Sequence, residues 1–165
     1  MIFDKWKKNK KQEIKAVSKG KIKNLENVKD EVFSKGLIGK GLAIVPEENT
    51  VRSPIDGILT VVFPTGHAFG ITGKDGVELL IHIGIDTVNL KGEGFEILVK
   101  QGQEIKQGEP LVNCDFRLIE EKGYQTDILI VITNHDQFYL EEVSHENEHV
   151  EAQQSIIYHC GRKNE

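Results

Sequence analysis

Two histidines, His67 and His82, stand in apolar stretches where an ionisable ring is unusual. His82 interrupts "GVELLIHIGIDT" (residues 76–87), and His67 lies in "FPTGHAFGI", between Phe63 and Phe69. Alternate residues of an extended strand share a face, so His82 is predicted on the outer face, where Gly84 leaves room for a group to approach the ring. The residues predicted to point into the core are Leu79, Ile81, Ile83 and Ile85.

A pair of imidazoles on such a surface can carry a phosphoryl group. A neutral imidazole is a competent nucleophile near neutral pH, and a phosphoryl group on its nitrogen stays transferable because the ring is a ready leaving group. A second imidazole can donate a hydrogen bond to a phosphoryl oxygen and stabilise charge in the transition state. Apolar surroundings keep bulk water away from the phosphorylated ring. This chemistry requires two histidines and no cofactor.

Two other interpretations of these histidines remain open at this point. A single hydrogen-bonded histidine on a half-buried strand is more often structural than catalytic. A zinc site would need three or four protein ligands, and the sequence nominates two, so contact with phosphate is favoured and no metal is predicted. The histidines of the polar C-terminal third are predicted to lie at the surface: His135, His145, His149 and His159.

The segments that must position the two rings are predicted to be β-strands. Short apolar runs rich in β-branched residues alternate with turn signals such as "SPIDG", "GKDG" and "KGEG". This pattern indicates an all-β fold, an antiparallel sandwich or barrel, with few and short helices. One helix is predicted at "FRLIEEKG", where Gly123 provides the stop.

The stretch "VKQGQEIKQGEPLV" (residues 99–112) predicts a tight β-hairpin or corner. Val99, Ile105 and Leu111 are expected to face inward, and Gly102 and Gly108 permit the turns between them. Together with "SPIDGIL", this phrasing also occurs in biotinyl and lipoyl carrier domains, which makes a carrier domain an alternative. The lysine of "GKDG" is a poor match for the modified lysine of such domains.

The whole chain of 165 residues is long enough for one domain with a substantial core. We predict a single domain over residues 17–165, preceded by a basic segment of residues 1–16. No apolar run reaches the roughly 18 residues that a membrane span needs. Cys114 and Cys160 stand far apart and outside metal-ligand spacing, which predicts free thiols in a cytoplasmic protein.

The charge is unevenly distributed along the chain. Residues 1–29 carry ten lysines and three acids, although the whole chain has a net charge of −5. The acidic body argues against nucleic acid as a ligand and favours a basic protein partner. In "MIFDKWKKNKKQEIK", one helical face could collect Ile2, Phe3 and Trp6 among lysines. This segment is interpreted either as a solvated tail or as a helix that contacts a membrane surface through residues 1–11.

The residues 76–95, "GVELLIHIGIDTVNLKGEGF", resemble the phosphohistidine signature of the glucose-type enzyme IIA of the bacterial sugar phosphotransferase system. The resemblance extends through "SPIDG", "GHAFGI", "VKQGQEIKQGEPL" and "ILIVITN", and covers about residues 18–135. It implies an antiparallel β-sandwich and the role of a phosphoryl relay. Some members of this family also carry a short amphipathic N-terminal helix that holds them near the permease.

The same resemblance implies roles for individual residues. His82 corresponds to the phosphoryl acceptor, expected to react through Nε2, His67 to the supporting histidine, and Thr65 to a threonine that hydrogen-bonds within the pair. Asp30 and Asp86 correspond to rim carboxylates that meet a basic residue of the partner. The apolar docking surface is expected to comprise Val32, Phe33, Ile38, Phe63 and Phe69.

The resemblance also implies two partners for the relay. The histidine-containing phosphocarrier protein hands the phosphoryl group to His82, which passes it to a cysteine on the IIB domain of a membrane sugar permease. A surface switched by phosphorylation could in addition report sugar flux to other proteins. The alternatives are a zinc peptidase or a biotinyl or lipoyl carrier domain of a related β-fold.

Overall fold

Short runs of β-branched residues separated by turns form most of the regular structure. The computed structural model describes residues 11–163, in which fourteen strands and two short α-helices are found. The strands are β1 (Gln12–Lys15), β2 (Gly20–Asn24), β3 (Lys40–Pro46), β4 (Thr50–Arg52), β5 (Gly57–Val62), β6 (Ala68–Thr72), β7 (Glu78–Ile83), β8 (Phe95–Ile97), β9 (Glu104–Ile105), β10 (Pro110–Cys114), β11 (Ile128–Ile132), β12 (Phe138–Glu142), β13 (His149–Val150) and β14 (Ile156–Arg162). The helices are α1 (Glu31–Ser34) and α2 (Phe116–Glu121), with 3-10 turns at Leu25–Asn27 and Thr87–Leu90.

The strands assemble into one large sheet and two small ones. The eight-stranded sheet has the order β13-β2-β3-β11-β7-β6-β5-β9, and the three-stranded sheets have the orders β1-β14-β12 and β4-β10-β8. Every strand pair among the described residues is antiparallel. The predicted antiparallel β-sandwich with few short helices is therefore confirmed.

The main core lies between the sheets and collects the inward-facing residues of the strands. Leu79, Ile81 and Ile83 of β7 lie in it, as their alternation predicts. Tyr158 of β14 is fully buried there, and its hydroxyl donates a hydrogen bond to the carbonyl of Ile130. The polar tip of this large ring is thus satisfied while its apolar body fills the core.

A second, smaller cluster lies on the outer face of the large sheet, beneath α1. We call it the outer cluster, and its buried members are Val28, Phe33, Ala43, Ile85, Leu129 and Val131. Ile85, expected in the main core, lies here instead. Gly84 has a φ of +75° immediately after β7 ends, so the chain turns out of the strand before Ile85 and the alternation no longer applies.

The folded body begins earlier in the chain than the sequence predicted. The sequence predicts residues 12–16 as part of the basic N-terminal segment, but β1 pairs with β14 and Ile14 is fully buried in the main core. An apolar residue between charged neighbours forms a one-sided strand, which the lysine-rich composition obscures. The expectations for Ile2, Phe3 and Trp6 concern residues outside the described range.

Two local predictions are confirmed in the second half of the chain. Helix α2 occupies residues 116–121, with the Asp115 carboxylate accepting a hydrogen bond from the Leu118 amide as a cap. The segment of residues 99–112 forms a corner and not a hairpin, since β9 pairs with β5 and β10 pairs with β4 and β8. Gly102 and Gly108 both have φ near +90°, and Ile105 and Leu111 are buried. Cys114 and Cys160 are buried free thiols whose pKa is raised by burial to about 12. No helix within residues 11–163 has the length and hydropathy of a membrane span.

Candidate active site

His67 and His82 meet at one end of the β6–β7 hairpin. β6 and β7 are neighbours with Ala68 opposite His82, and His67 directly precedes β6. The two ring centroids lie 5.3 Å apart, with the ring planes at 82°. His82 is partly exposed on the outer face of the sheet, and His67 is 4% exposed behind it. A small group attached to His82 from solvent therefore comes within reach of His67 without the second ring being exposed to a partner protein.

The position of Gly84 fixes the tautomer of His82. Its carbonyl oxygen lies 2.8 Å from Nδ1 of His82. A carbonyl can act as an acceptor alone, so Nδ1 must be the donor, and in the neutral ring Nε2 carries the lone pair. The backbone thus leaves Nε2 as the unprotonated nitrogen of the neutral ring.

The expectation that Gly84 opens space beside the ring is wrong. Gly84 is buried, and a Cβ there would lie 2.4 Å from Cγ2 of Thr87 and 2.8 Å from the carbonyl oxygen of Gln125. Glycine is required at this position because φ is +75° and the neighbouring backbone approaches closely. Its contribution is therefore the carbonyl that holds the ring.

Thr65 and Gly66 shape the other half of the pair. The Thr65 hydroxyl lies 2.5 Å from Nδ1 of His67, within hydrogen-bond distance. Gly66 has a φ of +76°, and a Cβ there would lie 2.9 Å from Cβ of Phe95. The "PTG" turn therefore requires glycine, and it places Thr65 and His67 side by side.

Both rings are held in the neutral form by their surroundings. Burial lowers the pKa of His67 to about 4, and the proximity of His82 lowers it further in the same direction. Burial also lowers the pKa of His82, against the opposing effects of the Gly84 carbonyl and the carboxylates of Asp30 and Asp86. At neutral pH the site therefore offers two uncharged imidazoles, one of which is tuned by nearby acids.

Aromatic rings enclose the histidine pair, but not all of those expected at the surface lie there. The Phe63 ring is 41% exposed and packs edge-on against His67 at 5.2 Å between centroids. The Phe33 ring lies 5.0 Å from that of His82 and is 9% exposed, so it forms a wall of the site. Phe69 is fully buried in the main core, because odd-numbered residues of β6 face inward, and its expected place on the docking surface is wrong.

Of the other residues predicted for the docking surface, Asp30 and Asp86 lie close enough to His82 for their carboxylates to oppose the lowering of its pKa. Asp30 caps α1, where its Oδ1 accepts hydrogen bonds from the amides of Val32 and Phe33. Asp86 is exposed, with a φ of +60° after the β7 turn. Val32 and Ile38 are exposed. Sequence reasoning did not find Leu37, which is 70% exposed beside Ile38; the signal was an apolar pair in the glycine-rich segment "KGLIGKG".

Neither alternative chemistry gains support from the geometry of the described residues. Within residues 11–163, His, Cys, Asp and Glu side chains form no group of three or more that could hold a metal ion. Lys74 lies in the turn between Thr72 and Glu78, at the opposite end of the β6–β7 hairpin from the histidine pair.

Known proteins resemble this chain over most of its length. Residues 12–138 match the family described as the phosphoenolpyruvate-dependent sugar phosphotransferase system, EIIA 1. The glucose-specific EIIA component of Bacillus cereus is 45% identical over 135 residues, which are 82% of this chain and 82% of the relative. The beta-glucoside-specific EIIBCA component of Bacillus subtilis is 48% identical over 120 residues, 73% of this chain; the match spans 20% of the length of that relative.

A solved structure agrees in fold. The glucose permease IIA of Mycoplasma capricolum superposes with a TM-score of 0.86 at 40% sequence identity, covering 92% of this chain and 96% of the other. The sequence match and the structural match thus both include the segments that carry His67 and His82. The chain therefore belongs to the EIIA 1 family of the phosphoenolpyruvate-dependent sugar phosphotransferase system and is a phosphotransferase component that relays phosphoryl groups.

Proposed function

We propose that His82 is the residue that carries the phosphoryl group in this relay, through Nε2. The observation that supports this assignment is the hydrogen bond from Nδ1 of His82 to the Gly84 carbonyl, which directs the lone pair of the neutral ring to Nε2. The partly exposed position of His82 on the outer face leaves this ring accessible to a docking protein. The lowered pKa keeps the nucleophile unprotonated at neutral pH.

The proposed transfer proceeds in two displacement steps. Nε2 of His82 attacks the phosphorus of a phosphohistidine on the histidine-containing phosphocarrier protein, so a P–N bond forms as the donor's P–N bond breaks. In the second step a cysteine thiolate of a IIB domain attacks the same phosphorus, and the His82 ring leaves with its electron pair. The surrounding Phe33 and Phe63 rings reduce access of water, which would hydrolyse the intermediate.

His67 is proposed to stabilise the charge that develops on the phosphoryl oxygens. With a pKa of about 4 the ring is neutral, so it cannot hold the group as an ion pair at neutral pH. When the Thr65 hydroxyl donates to Nδ1, the proton of the neutral ring resides on Nε2, which can donate a hydrogen bond to a phosphoryl oxygen. Thr65 is therefore proposed to fix the tautomer of the supporting ring.

Docking of both partners is proposed to use an apolar centre with an acidic rim. Val32, Ile38 and Phe63 supply exposed apolar area, and Asp30 and Asp86 supply the carboxylates that a basic partner residue would meet. Rim charges of this kind accelerate association, and the apolar centre supplies contact for a transient complex.

A IIB-type domain is proposed as the acceptor because relatives carry such a domain in the same polypeptide. The Bacillus subtilis relative is named an EIIBCA component specific for beta-glucosides, and the Bacillus cereus relative is named a glucose-specific EIIA component. From these two relatives we propose glucose or a beta-glucoside as the sugar that this chain serves. Measuring transfer from phosphorylated protein to IIB domains of both kinds discriminates between the two.

The direct test is phosphorylation by the general phosphotransferase enzymes with phosphoenolpyruvate. The wild type is expected to gain one acid-labile, base-stable phosphate, and His82→Ala is expected to gain none. His67→Ala is expected to accept phosphate but to pass it on much more slowly. His159→Ala, which removes a partly buried histidine of β14, is the matched control. Undiminished labelling of His82→Ala would contradict the assignment.

Contact with a membrane through residues 1–11 is proposed separately, from the aromatic and lysine pattern of that segment. Vesicles of neutral and of anionic lipid are mixed with the wild type and with Trp6→Ala and Lys5→Gln variants. Binding to anionic vesicles that both substitutions weaken supports a surface contact. Equal partitioning of all three proteins would discard it.

A further inference from the structure

On the outer face of the large sheet lies a largely buried ion pair that the reaction described above does not use. Nζ of Lys23 lies 2.9 Å from Oδ2 of Asp127, and the two side chains are 27% and 6% exposed. Within residues 11–163, Lys23 is the sole hydrogen-bond donor to the Asp127 carboxylate. The ion pair thus joins Lys23 on β2 to Asp127, which directly precedes β11, across the intervening strand β3.

The ion pair stands on the same face as the nucleophile. The strand register runs from Lys23 to Ala43, Leu129 and His82, so these four residues form one row across β2, β3, β11 and β7. Ala43 and Leu129, between the ends of the row, belong to the outer cluster. Asp127 directly precedes β11, two residues before Leu129, so its side chain lies on the same face of the sheet as that of Leu129.

The backbone around Asp127 holds the turn that orients His82. The carbonyl of Asp127 accepts a hydrogen bond from the Gly84 amide at 2.8 Å, and the carbonyl of Gln125 accepts one from the Ile85 amide at 3.2 Å. The carbonyl of Gly84 is in turn the acceptor for Nδ1 of His82. A continuous chain of contacts therefore runs from Lys23 through Asp127 and Gly84 to the imidazole.

We propose that the Lys23–Asp127 ion pair is a positioning element for the relay: it holds residues 125–127 against the Gly84 turn and thereby keeps the Gly84 carbonyl on Nδ1 of His82. Lys23 is a positioning residue, since it acts through Asp127 and the backbone. The inference rests on the proposed role of His82. Positioning groups behind a reactive imidazole fix its tautomer and its direction, as carboxylates and carbonyls do behind metal-bound histidines.

The physical reason is the buried carboxylate. Asp127 is almost inaccessible to water, so its charge must be compensated where it stands, and Lys23 supplies the opposite charge. Without Lys23 the unpaired carboxylate is more stable when it moves toward solvent and is hydrated, and the backbone of residues 125–127 moves with it. The first contacts to lengthen would be those to the Gly84 and Ile85 amides.

The test uses Lys23→Met in the full chain, with three readouts. The substitution is expected to accelerate hydrogen exchange of the Gly84 and Ile85 amides about tenfold over the wild type. The Leu79 and Ile81 amides, which report the remainder of β7, should not be accelerated in the same way. Nitrogen chemical shifts of the His82 ring are expected to move from the Nδ1–H tautomer toward a mixture. Phosphorylation by the general enzymes is expected to slow about tenfold, since small misplacements of a reactive group have effects up to about a hundredfold.

Matched variants separate this role from a general loss of stability. Lys23→Arg keeps the charge and should restore all three readouts. Lys21→Met removes an exposed lysine two residues away on the same face of β2 and should leave them unchanged. If Lys23→Met does not fold, Asp127→Asn replaces it, because Lys23 can then turn to solvent and no buried charge is left unpaired. The same shifts are expected in that variant, because the amide that replaces the carboxylate no longer anchors residues 125–127 to Lys23 on β2.

The outcomes that overturn the inference are distinct from those that overturn the role of His82. Wild-type ring shifts and wild-type amide exchange in the folded Lys23→Met or Asp127→Asn protein would reject the positioning role. Uniform acceleration of all β7 amides would also reject it, since the pair would then contribute global stability alone. Undiminished phosphorylation of His82→Ala would reject the acceptor assignment instead, whatever the ring shifts show.

Discussion

Replacing His67 by glutamine is expected to flatten the dependence of folding stability on pH. In the folded chain the pKa of His67 is lowered from 6.5 to about 4, chiefly by burial. As the pH falls below about 6.5, the unfolded chain binds a proton on this ring and the folded chain does not, so stability is lost until the pH reaches about 4. At 1.36 kcal/mol per pKa unit, the full loss amounts to about 3 kcal/mol.

Most of this effect is accessible to measurement above pH 4. Between about pH 7 and pH 5 the free energy of unfolding should fall by about 2 kcal/mol through His67. Glutamine does not titrate and still offers a polar group to Thr65, so His67→Gln should lack this part of the decline. His82 contributes in the same direction, because its pKa is also lowered, and its contribution remains in the variant.

The assay is urea unfolding of wild type and variant at several pH values between about 7 and about 5. His135→Gln, which removes a partly exposed histidine that forms no ion pair among residues 11–163, controls for the loss of one ring. The slopes of stability against pH are compared, so that any uniform destabilisation by the substitution cancels. Equal losses of stability in wild type and His67→Gln would refute the conclusion that His67 is held neutral by burial.

Three further outcomes follow from the fold and the opening of the site. Gly84→Ala should destabilise the chain by about 3 kcal/mol in urea unfolding, because φ is positive and backbone lies in contact, whereas Gly102→Ala, with positive φ and nothing within 4 Å, should lose about 1 kcal/mol. Ile14→Ala should lower the free energy of unfolding by about 3 kcal/mol, because Ile14 of β1 is fully buried in the core. An unchanged midpoint of urea unfolding would contradict this place for β1. Phe63→Ala should slow phosphoryl acceptance about fivefold at unchanged stability. Val143→Ala, which truncates another exposed apolar side chain, should leave the rate of acceptance unchanged, and equal rates in the two variants would argue against docking at Phe63.

The sequence determined much of the architecture because its patterns are local. Alternation in β7 predicted which residues enter the core, and glycines at 102 and 108 predicted the turns that their positive φ requires. The signature around His82 and the second histidine at 67 were likewise readable, since residue type and spacing carried them. Those predictions failed where the local pattern ended: alternation placed Ile85 in the main core, and composition placed residues 12–16 outside the fold.

What the sequence by itself determined was the strand pattern, the fold class and the two imidazoles that lie together. The tertiary structure decided the remainder: the carbonyl of Gly84 on Nδ1, the wall made by Phe33, and the ion pair between Lys23 and Asp127. Each of these depends on contacts between strands distant in the chain, or on a backbone turn. Their geometry is set by packing, which no spacing of residue types along one segment encodes.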